Sequence, residues 1–406
     1  MKQVLLIIGL CLATTVAFAQ KASVTGAERM AKDQRGNLNE ARNLINGAKT
    51  HADTKDDPKT WFVAGQIEDA QFNREYTKQV VGQQPNEPIM YQALGSSLPL
   101  FLQSYELDQR PNAKGKVSPK YTKNIKGIIS ANHVYYLNGG AHFFENGDYR
   151  KAYDFFEQYL DISNLPFFAG EKTAERDENF NTVQFYSAVA AIQLDDHNLA
   201  INALNRAKSS NYRQNEVFQF LIFEYDRIKD TVNMEKALEE GYQIFPDSSF
   251  YLLSLINLYI QSERNEKALN MINTAISREP SNPQLYHAMG SVYEAGYHDI
   301  AKAEENFIKA VQLEADNPIW QSNLGRIYYN QGIEKINDAN SITDVQEYNT
   351  QREVARDLFK KALPYFEQAL KLKSDEFEYM IPLRGIYYQL NMADEFEALN
   401  AKIEAR

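Results

Sequence analysis

Residues 249–282, SFYLLSLINLYIQSERNEKALNMINTAISREPSN, contain two apolar patterns of helical period separated by a polar turn. Large and small side chains recur at fixed places in them: Leu255, Tyr259, Ala268, Ile272 and Ala275. Small residues let two helices approach closely, and large ones fill the layer between them. Pro280 ends the second pattern, because its ring disfavours a continuing helix. The stretch therefore predicts an antiparallel pair of helices.

The same pattern recurs at the same spacing towards the N-terminus. Residues 215–248 repeat it with Tyr225, Leu238, Gly241 and Pro246 at the matching places. Residues 181–214 repeat it again with Ala188, Ala200, Leu204 and Ala207. Three units in unbroken register indicate stacked helix pairs, which grow in one dimension and have no single globular core.

The flanking segments continue the array with insertions. Further units are expected near residues 133–166, 283–317 and 318–377, and together they make an array over 133–377. The unit at 283–317 has one extra residue between its helices, and the last unit carries a polar insertion at 333–357. Residues 20–132 are predicted to be divergent helices of the same kind, with an insertion at 71–88. Residues 378–406 are predicted to be capping helices that shield the last apolar layer.

At these register-matched positions the sequence resembles the tetratricopeptide repeat (TPR) family, and in particular exported TPR proteins of Bacteroidota. The resemblance implies an all-α, right-handed superhelical solenoid of antiparallel helix pairs, with about 7–8 repeats, insertions and a C-terminal capping helix. Because the matching positions are all packing positions, the resemblance is specific for the fold and non-specific for function.

Residues 1–19 have the features of a secretory signal peptide. Lys2 gives a positive start, an apolar run extends from Val4 to Val16, and Ala17-Phe18-Ala19 is a cleavage pattern that leaves Gln20 first. The only cysteine, Cys11, lies within this run, so the mature chain is expected to have no disulfide and no lipid anchor. The net charge of −11 argues against nucleic-acid binding. We expect an exported, periplasmic protein, with secretion as the alternative.

The sequence contains no strong catalytic or cofactor-binding signature. A P-loop, a GxGxxG after a strand, a GxSxG and an HExxH are all absent. The six histidines are dispersed without metal-ligand spacing. Asn138-Gly139-Gly140 suggests a phosphate loop, but Gly140 falls on a small packing position, which favours close helix packing. We expect no catalytic residue, no cofactor and no metal, and hence no enzyme.

In such an array the first helix of each pair lines a concave face, where a partner binds. The residues at these positions that we regard as candidates are Phe144, Phe185, Val189, Ile192, Phe223, Asn257, His287, Ser291, Arg326 and Tyr329. The early members are apolar and the later ones polar, which suits an extended peptide or a helix with apolar anchors at one end. The alternative is that Phe185, Val189, Ile192 and Phe223 are covered by insertions or pack between neighbouring units.

The leading hypothesis is a non-catalytic interaction scaffold or adaptor in the cell envelope, binding a peptide or protein, such as an envelope protein, in the concave groove. The alternative is a glycan-binding or transporter-associated accessory protein of the outer membrane. That role requires exposed tryptophans, whereas Trp61 and Trp320 fall within repeat helices. Neither a nucleic-acid partner nor a membrane-spanning segment after signal removal is expected.

The export signal predicts that the chain in its native host begins at Gln20. Because cleavage follows Ala19, intact-mass spectrometry of the protein from the periplasmic fraction should give the mass of residues 20–406. Recovery of the chain from the cytoplasmic fraction with residues 1–19 still attached would contradict the signal.

Overall fold

The computed structural model describes residues 20–112 and 114–405, so the predicted signal at 1–19 lies outside it. Within these ranges the chain forms eighteen α-helices with short connections and no strand. The predicted all-α array of helix pairs is confirmed. None of the helices in the two ranges is both long enough and apolar enough to cross a bilayer.

The chain divides into two compact units after Met234, inside α10. The first unit holds α1 (20–32), α2 (Leu38–Thr50), α3 (Pro58–Val80), α4 (Glu87–Asp108), α5 (Thr122–Glu145), α6 (Tyr149–Asn164), α7 (Glu178–Gln193), α8 (His197–Ala207) and α9 (Gln214–Arg227). The boundary helix is α10 (Thr231–Ile244). The second unit holds α11 (Ser249–Gln261), α12 (Asn265–Arg278), α13 (Pro283–Ser291), α14 (Ile300–Leu313), α15 (Pro318–Ala339), α16 (Val345–Leu372), α17 (Phe377–Gln389) and α18 (Ala393–Glu404).

Aspartate and asparagine side chains start most of these helices. Asp57 accepts a hydrogen bond from the backbone N–H of Lys59, and Asp196 accepts one from that of Leu199. Such a cap satisfies one of the four N–H groups that a helix start leaves without an intrahelical partner. Nine further helices of the described chain begin in the same way, after Asn37, Asn86, Asp148, Asp177, Asp230, Asn282, Asp299, Asn317 and Asp344.

The turn between the two helices of a pair repeats a left-handed residue at one register position. These residues, all with φ between 55° and 76°, are Gly147, Asp195, Lys229, Glu263, His298 and Asn391. Asp195, Lys229 and Glu263 follow one another at the spacing of the sequence repeat, and His298 comes one residue late. The delay has a structural cause, since residues Val292–Gly296 form a π-helical turn, which absorbs one extra residue.

In four helix pairs of the described chain, the helices cross where a glycine of the first meets an aromatic ring of the second. A Cβ added to Gly140 would lie 2.3 Å from the Phe156 ring, and one added to Gly290 would lie 2.7 Å from the Phe307 ring. Gly65 with Phe101 and Gly325 with Phe366 repeat the contact. In the pair α7/α8 the corresponding residues are Ala188 and Leu204, both fully buried. In these five helix pairs, the summed volume of the small residue and its large partner is therefore roughly constant.

Two segments expected to be insertions are helical. The segment 71–88 is not a loop over most of its length, because α3 continues to Val80 and α4 begins at Glu87. The polar segment 333–357 forms the adjoining ends of α15 and α16, which are joined by a turn at residues 340–344. Both additions lengthen a helix pair along its own axis.

The glycine–aromatic crossing predicts opposite effects for two alanine substitutions in α5. Gly140→Ala forces the buried Phe156 ring to move and should destabilise the protein by about 1–3 kcal/mol. The matched control Gly127→Ala lies on the same helix with nothing within 4 Å of the added carbon, and should stabilise by about 0.5–1 kcal/mol. Thermal unfolding followed by circular dichroism compares the two, and equal melting temperatures would contradict the packing role of Gly140.

Candidate functional site

An apolar hollow opens between α5 and α7, the first helices of two successive pairs. Its volume is about 390 Å³, and it is lined by Leu137, Ala141, Phe144, Glu145, Phe156, Thr182, Val183 and Tyr186. The Phe144 ring meets Tyr149 at 5.4 Å and Tyr186 at 5.6 Å, both edge-on. Six of the eight lining residues are apolar or aromatic, so the hollow suits an apolar side chain better than a charged group.

The connection between α6 and α7 is anchored in the core beside this hollow. It forms two short 3₁₀ turns, Pro166–Phe168 and Lys172–Ala174. The Phe168 ring is fully buried, and the hydroxyls of Thr173 and Ser130 lie 3.0 Å apart. Phe168 and Thr173 are therefore buried, although they lie in a connection between helices. The anchored loop fixes α7 relative to α5.

A second hollow of about 340 Å³ lies between α7 and α9. It is lined by Ile192, Phe220, Phe223, Glu224, Asp226 and Arg227. Phe223 is 54% exposed, whereas Glu224 is buried and takes a hydrogen-bond partner at 2.8 Å in His197 Nδ1. Two sequence candidates, Ile192 and Phe223, thus meet at this second hollow, and Phe144 lies at the first.

Phe185 does not line the groove in this structure. It is only 2% exposed, and its ring packs edge-on against Tyr212 at 5.8 Å. The Arg213 guanidinium lies 4.4 Å from the ring centroid, which adds a cation–π contact. The connection from α8 to α9 therefore covers Phe185, as the alternative interpretation of the sequence foresees. Val189, one turn further along α7, is half-buried.

Three polar candidates of the second unit, His287, Ser291 and Arg326, have hydrogen-bond partners within the protein. Arg326 forms a two-point ion pair with Glu294, at 2.5 and 2.7 Å. The sequence suggests Arg326 as a cation open to a ligand, but Glu294 already occupies its guanidinium. Asn323 Nδ2 donates to His287 Nε2 at 2.9 Å, and the Ser291 hydroxyl donates to the His287 carbonyl at 3.1 Å.

The remaining two candidates differ in their surroundings. Asn257 on α11 is exposed. Tyr329 is half-buried, and its ring packs against Phe359 at 5.8 Å and Phe366 at 6.3 Å. The ten candidate positions thus do not form one uniform surface, and the open apolar ones lie in the first unit.

The histidine His133 and the glycine run that suggests a phosphate loop both pack against neighbouring side chains. His133 stacks on Tyr159 at 4.0 Å, and burial lowers the pKa of its imidazole. A Cβ on Gly139 would lie 2.6 Å from Phe155, so the Asn138-Gly139-Gly140 run serves helix packing. Within the described ranges no three His, Cys, Asp or Glu residues are grouped as metal ligands.

The tryptophans give no stacking platform. Trp61 Nε1 donates to the Lys55 carbonyl at 2.7 Å, and Trp320 is 7% exposed with its Nε1 donating to Glu314 at 2.7 Å. Trp320 faces His287, with ring centroids 4.5 Å apart. A glycan-binding surface requires exposed tryptophans. Trp320 is buried and does not provide one, and Trp61 is held by its hydrogen bond at the start of α3.

The helix pairs, the crossing glycines and the repeated left-handed turn can be compared with known proteins. No protein-family model matches the sequence. The TPR repeat-containing protein YpiA of Bacillus subtilis (strain 168) is 19% identical over 201 residues, which is 46% of either chain. The chain thus has the helix-pair architecture of tetratricopeptide-repeat proteins and is similar in sequence to one of them.

Solved structures of TPR proteins are similar to parts of this chain. A thermophilic TPR protein of Thermus thermophilus is 17% identical and covers 51% of this chain and 99% of its own, with a TM-score of 0.35. A TPR repeats protein of Bacteroides fragilis is 17% identical and covers 63% of this chain and 98% of its own, with a TM-score of 0.32. The chain spans less than half the length of the curated relative YpiA.

Sequence reasoning missed three residues that line the hollows, Tyr186, Phe220 and Phe156. Tyr186 and Phe220 lie one register step beyond the groove positions, at the sixth place of their units. Phe156 belongs to a second helix, yet its ring reaches the hollow because Gly140 lets it approach α5. The signal in the sequence that could have identified these lining residues is that they are large aromatic residues beside the groove positions.

The environment of His287 predicts a pH-dependent stability. Burial, and to a smaller extent Arg326, lower its pKa to about 4 from the usual value near 6.5. The folded protein therefore binds fewer protons than the unfolded chain below pH 6.5, so stability falls as pH decreases from about 6.5 to about 4, by roughly 2 kcal/mol at pH 5.

His287→Gln removes this titration. Thermal unfolding of wild type and variant at pH 7 and pH 5 measures the effect, and the melting temperature of the wild type should fall further. An equal fall in both proteins would show that His287 is not the group responsible.

Proposed function

We propose that this TPR protein is a non-catalytic interaction scaffold of the cell envelope that binds a peptide or helix of a partner protein. The observation that carries the proposal is the apolar hollow between α5 and α7. Its volume is near the lower end of the range for ligand pockets, roughly 300–1,000 Å³, so it suits one or two large side chains. Apolar anchors in such hollows supply most of the affinity in peptide recognition.

The second hollow extends the same surface along α7. Ile192 at the C-terminal end of α7 and Phe223 on α9 offer further apolar contact. The rim of the first hollow carries the exposed Glu145, whereas the rim of the second carries both Asp226 and Arg227. A peptide with a neutral or basic residue beside the anchor in the first hollow fits this arrangement, because Glu145 would repel an acidic one.

The export signal supports a place in the envelope. An array without a disulfide in its mature part relies on packing alone, which works in either redox environment. The proposed partner is therefore another envelope protein, engaged through an exposed apolar segment.

The proposal predicts that peptide binding is lost when the hollows receive charge. A phage-displayed library of 12-residue peptides is selected on the chain from Gln20, and fluorescence polarisation gives the affinities of the selected peptides. Ala141→Glu and Phe223→Glu should each weaken binding at least about tenfold, which is 1.4 kcal/mol, because a carboxylate then faces the apolar anchor.

Val117→Glu is the matched control, since Val117 is 45% exposed but lies in the loop before α5, away from both hollows. It should bind as the wild type does. Selection of no peptide, or unchanged affinity in both hollow variants with unchanged helicity, would refute the proposed site.

A further inference from the structure

A polar hollow of about 450 Å³ lies beside the C-terminal end of α1 and is separate from the apolar ones. It is lined by residues 31–34 and, on α3, by Gln66, Asp69, Ala70, Asn73, Arg74 and Thr77. The α3 residues recur at helical spacing, so they form one stripe along the helix. The peptide-binding hollow does not share any of them.

Asp69 is the unusual residue of this stripe. Asp69 is half-buried, its Oδ1 accepts a hydrogen bond from Asn132 Nδ2 at 2.7 Å, and the Asn73 amide donates to the Asp69 backbone carbonyl at 2.8 Å. Partial burial raises the pKa of the Asp69 carboxyl, and these neutral amides offset that only in part. A carboxylate withdrawn from water is ordinarily paired with a cation. Within the described ranges Asp69 has none.

The cations that line the hollow are committed elsewhere. Lys32 Nζ bonds to Glu28 at 2.6 Å. Arg74 Nη2 donates to the carbonyls of Asp33 and Gly36, at 2.8 and 2.9 Å, and so holds the turn after α1. Neither cation contributes to the pKa shift of Asp69.

The opposite wall consists of residues 31–34, the C-terminal end of α1 and the turn after it, where the helix dipole is negative. The Arg74 bonds to the carbonyls of Asp33 and Gly36 offset part of that potential. The Oε1 atom of Gln66 is buried and has no hydrogen-bond partner among the described residues. The side-chain amide is therefore not held in its orientation by a hydrogen bond to this oxygen.

From this arrangement we propose that the hollow between α1 and α3 binds an alkylammonium group, with Asp69 as its counter-ion. An ammonium has three N–H donors and no acceptor, which matches a wall whose open groups accept hydrogen bonds. The group arrives either on a free diamine or as the side chain of a lysine. The site goes beyond the scaffold role and does not depend on it.

Isothermal titration calorimetry with two probes tests the site. One probe is cadaverine, and the other is N-acetyl-lysine N-methylamide. Binding of cadaverine alone supports a free diamine, and binding of the blocked lysine supports a partner side chain. Heat from neither probe at millimolar concentration would overturn the proposal.

Asp69→Asn keeps the shape of the side chain and its amide contact but removes the charge, and should weaken binding at least tenfold. Glu40→Gln removes an equal charge from an exposed position on α2 and should have no effect. Equal affinity in Asp69→Asn and the wild type would also overturn the proposal. Should Asp69→Asn fail to fold, Ala70→Leu fills the hollow while the carboxylate remains, and the same loss is expected.

A last comparison separates this site from the peptide site. Ala141→Glu should leave the affinity for both amine probes unchanged, since Ala141 lies in the other hollow. Loss of amine binding in that variant would show that the probes bind at the apolar hollow and would refute the assignment to Asp69.

Discussion

The contact between a backbone glycine and an aromatic ring sets the distance between the helices of a pair. At Gly140 the Phe156 ring occupies the space that a Cβ would need, and the same relation holds for Gly290 with Phe307. Interiors of proteins are packed as densely as organic crystals, so such a contact leaves little tolerance. Because the connections within the pairs are short, the second helix runs antiparallel to the first at that spacing. The turn then closes through one residue in the left-handed region.

The same contact builds the candidate site. Phe156 packs on Gly140 with one edge and lines the apolar hollow with another part of its surface. Ala141, the residue after the glycine, leaves room above the ring. The hollow is therefore a by-product of the helix crossing, and its shape is fixed by core packing. A binding surface of this kind needs little reorganisation when a partner arrives, which lowers the entropic cost of association.

Much of the fold could be predicted from the sequence, because small and large side chains recur at fixed positions of the repeat. The register of Ala268, Ile272 and Ala275 predicts a helix pair, and one extra residue in the unit at 283–317 anticipates an irregularity that the structure shows as a π-turn. The site was less accessible. Arg326 and Phe185 occupy groove positions, but an ion pair engages the first and the connection between α8 and α9 covers the second. Glu294 lies one unit before Arg326, and Tyr212 lies in a connection outside the repeated helices, so the periodic pattern contains no information about these partners.

The half-buried carboxylate Asp69 shows the same limit. It lies on the same stripe of α3 as Gln66, and the sequence does not indicate that its neighbours are neutral amides. Asn132 lies far away in the chain, at the middle of α5. The electrostatic character of a position depends on which residues fold against it, and this can be known only once the helices are placed.

The hairpin of α15 and α16 contains a second contact between a glycine and an aromatic ring. On each helix it lies seven residues closer to the connecting turn than the first contact. Gly325 meets Phe366, and Gly332 meets Phe359. Seven residues are two helical turns, so the pair lengthens without a change in the angle at which it crosses. The added turns project along the helix axis while the stacking of neighbouring pairs continues from the unchanged base. A repeat array can thus acquire an arm, or accept a foreign domain at residues 340–344, without disturbing its succession of layers.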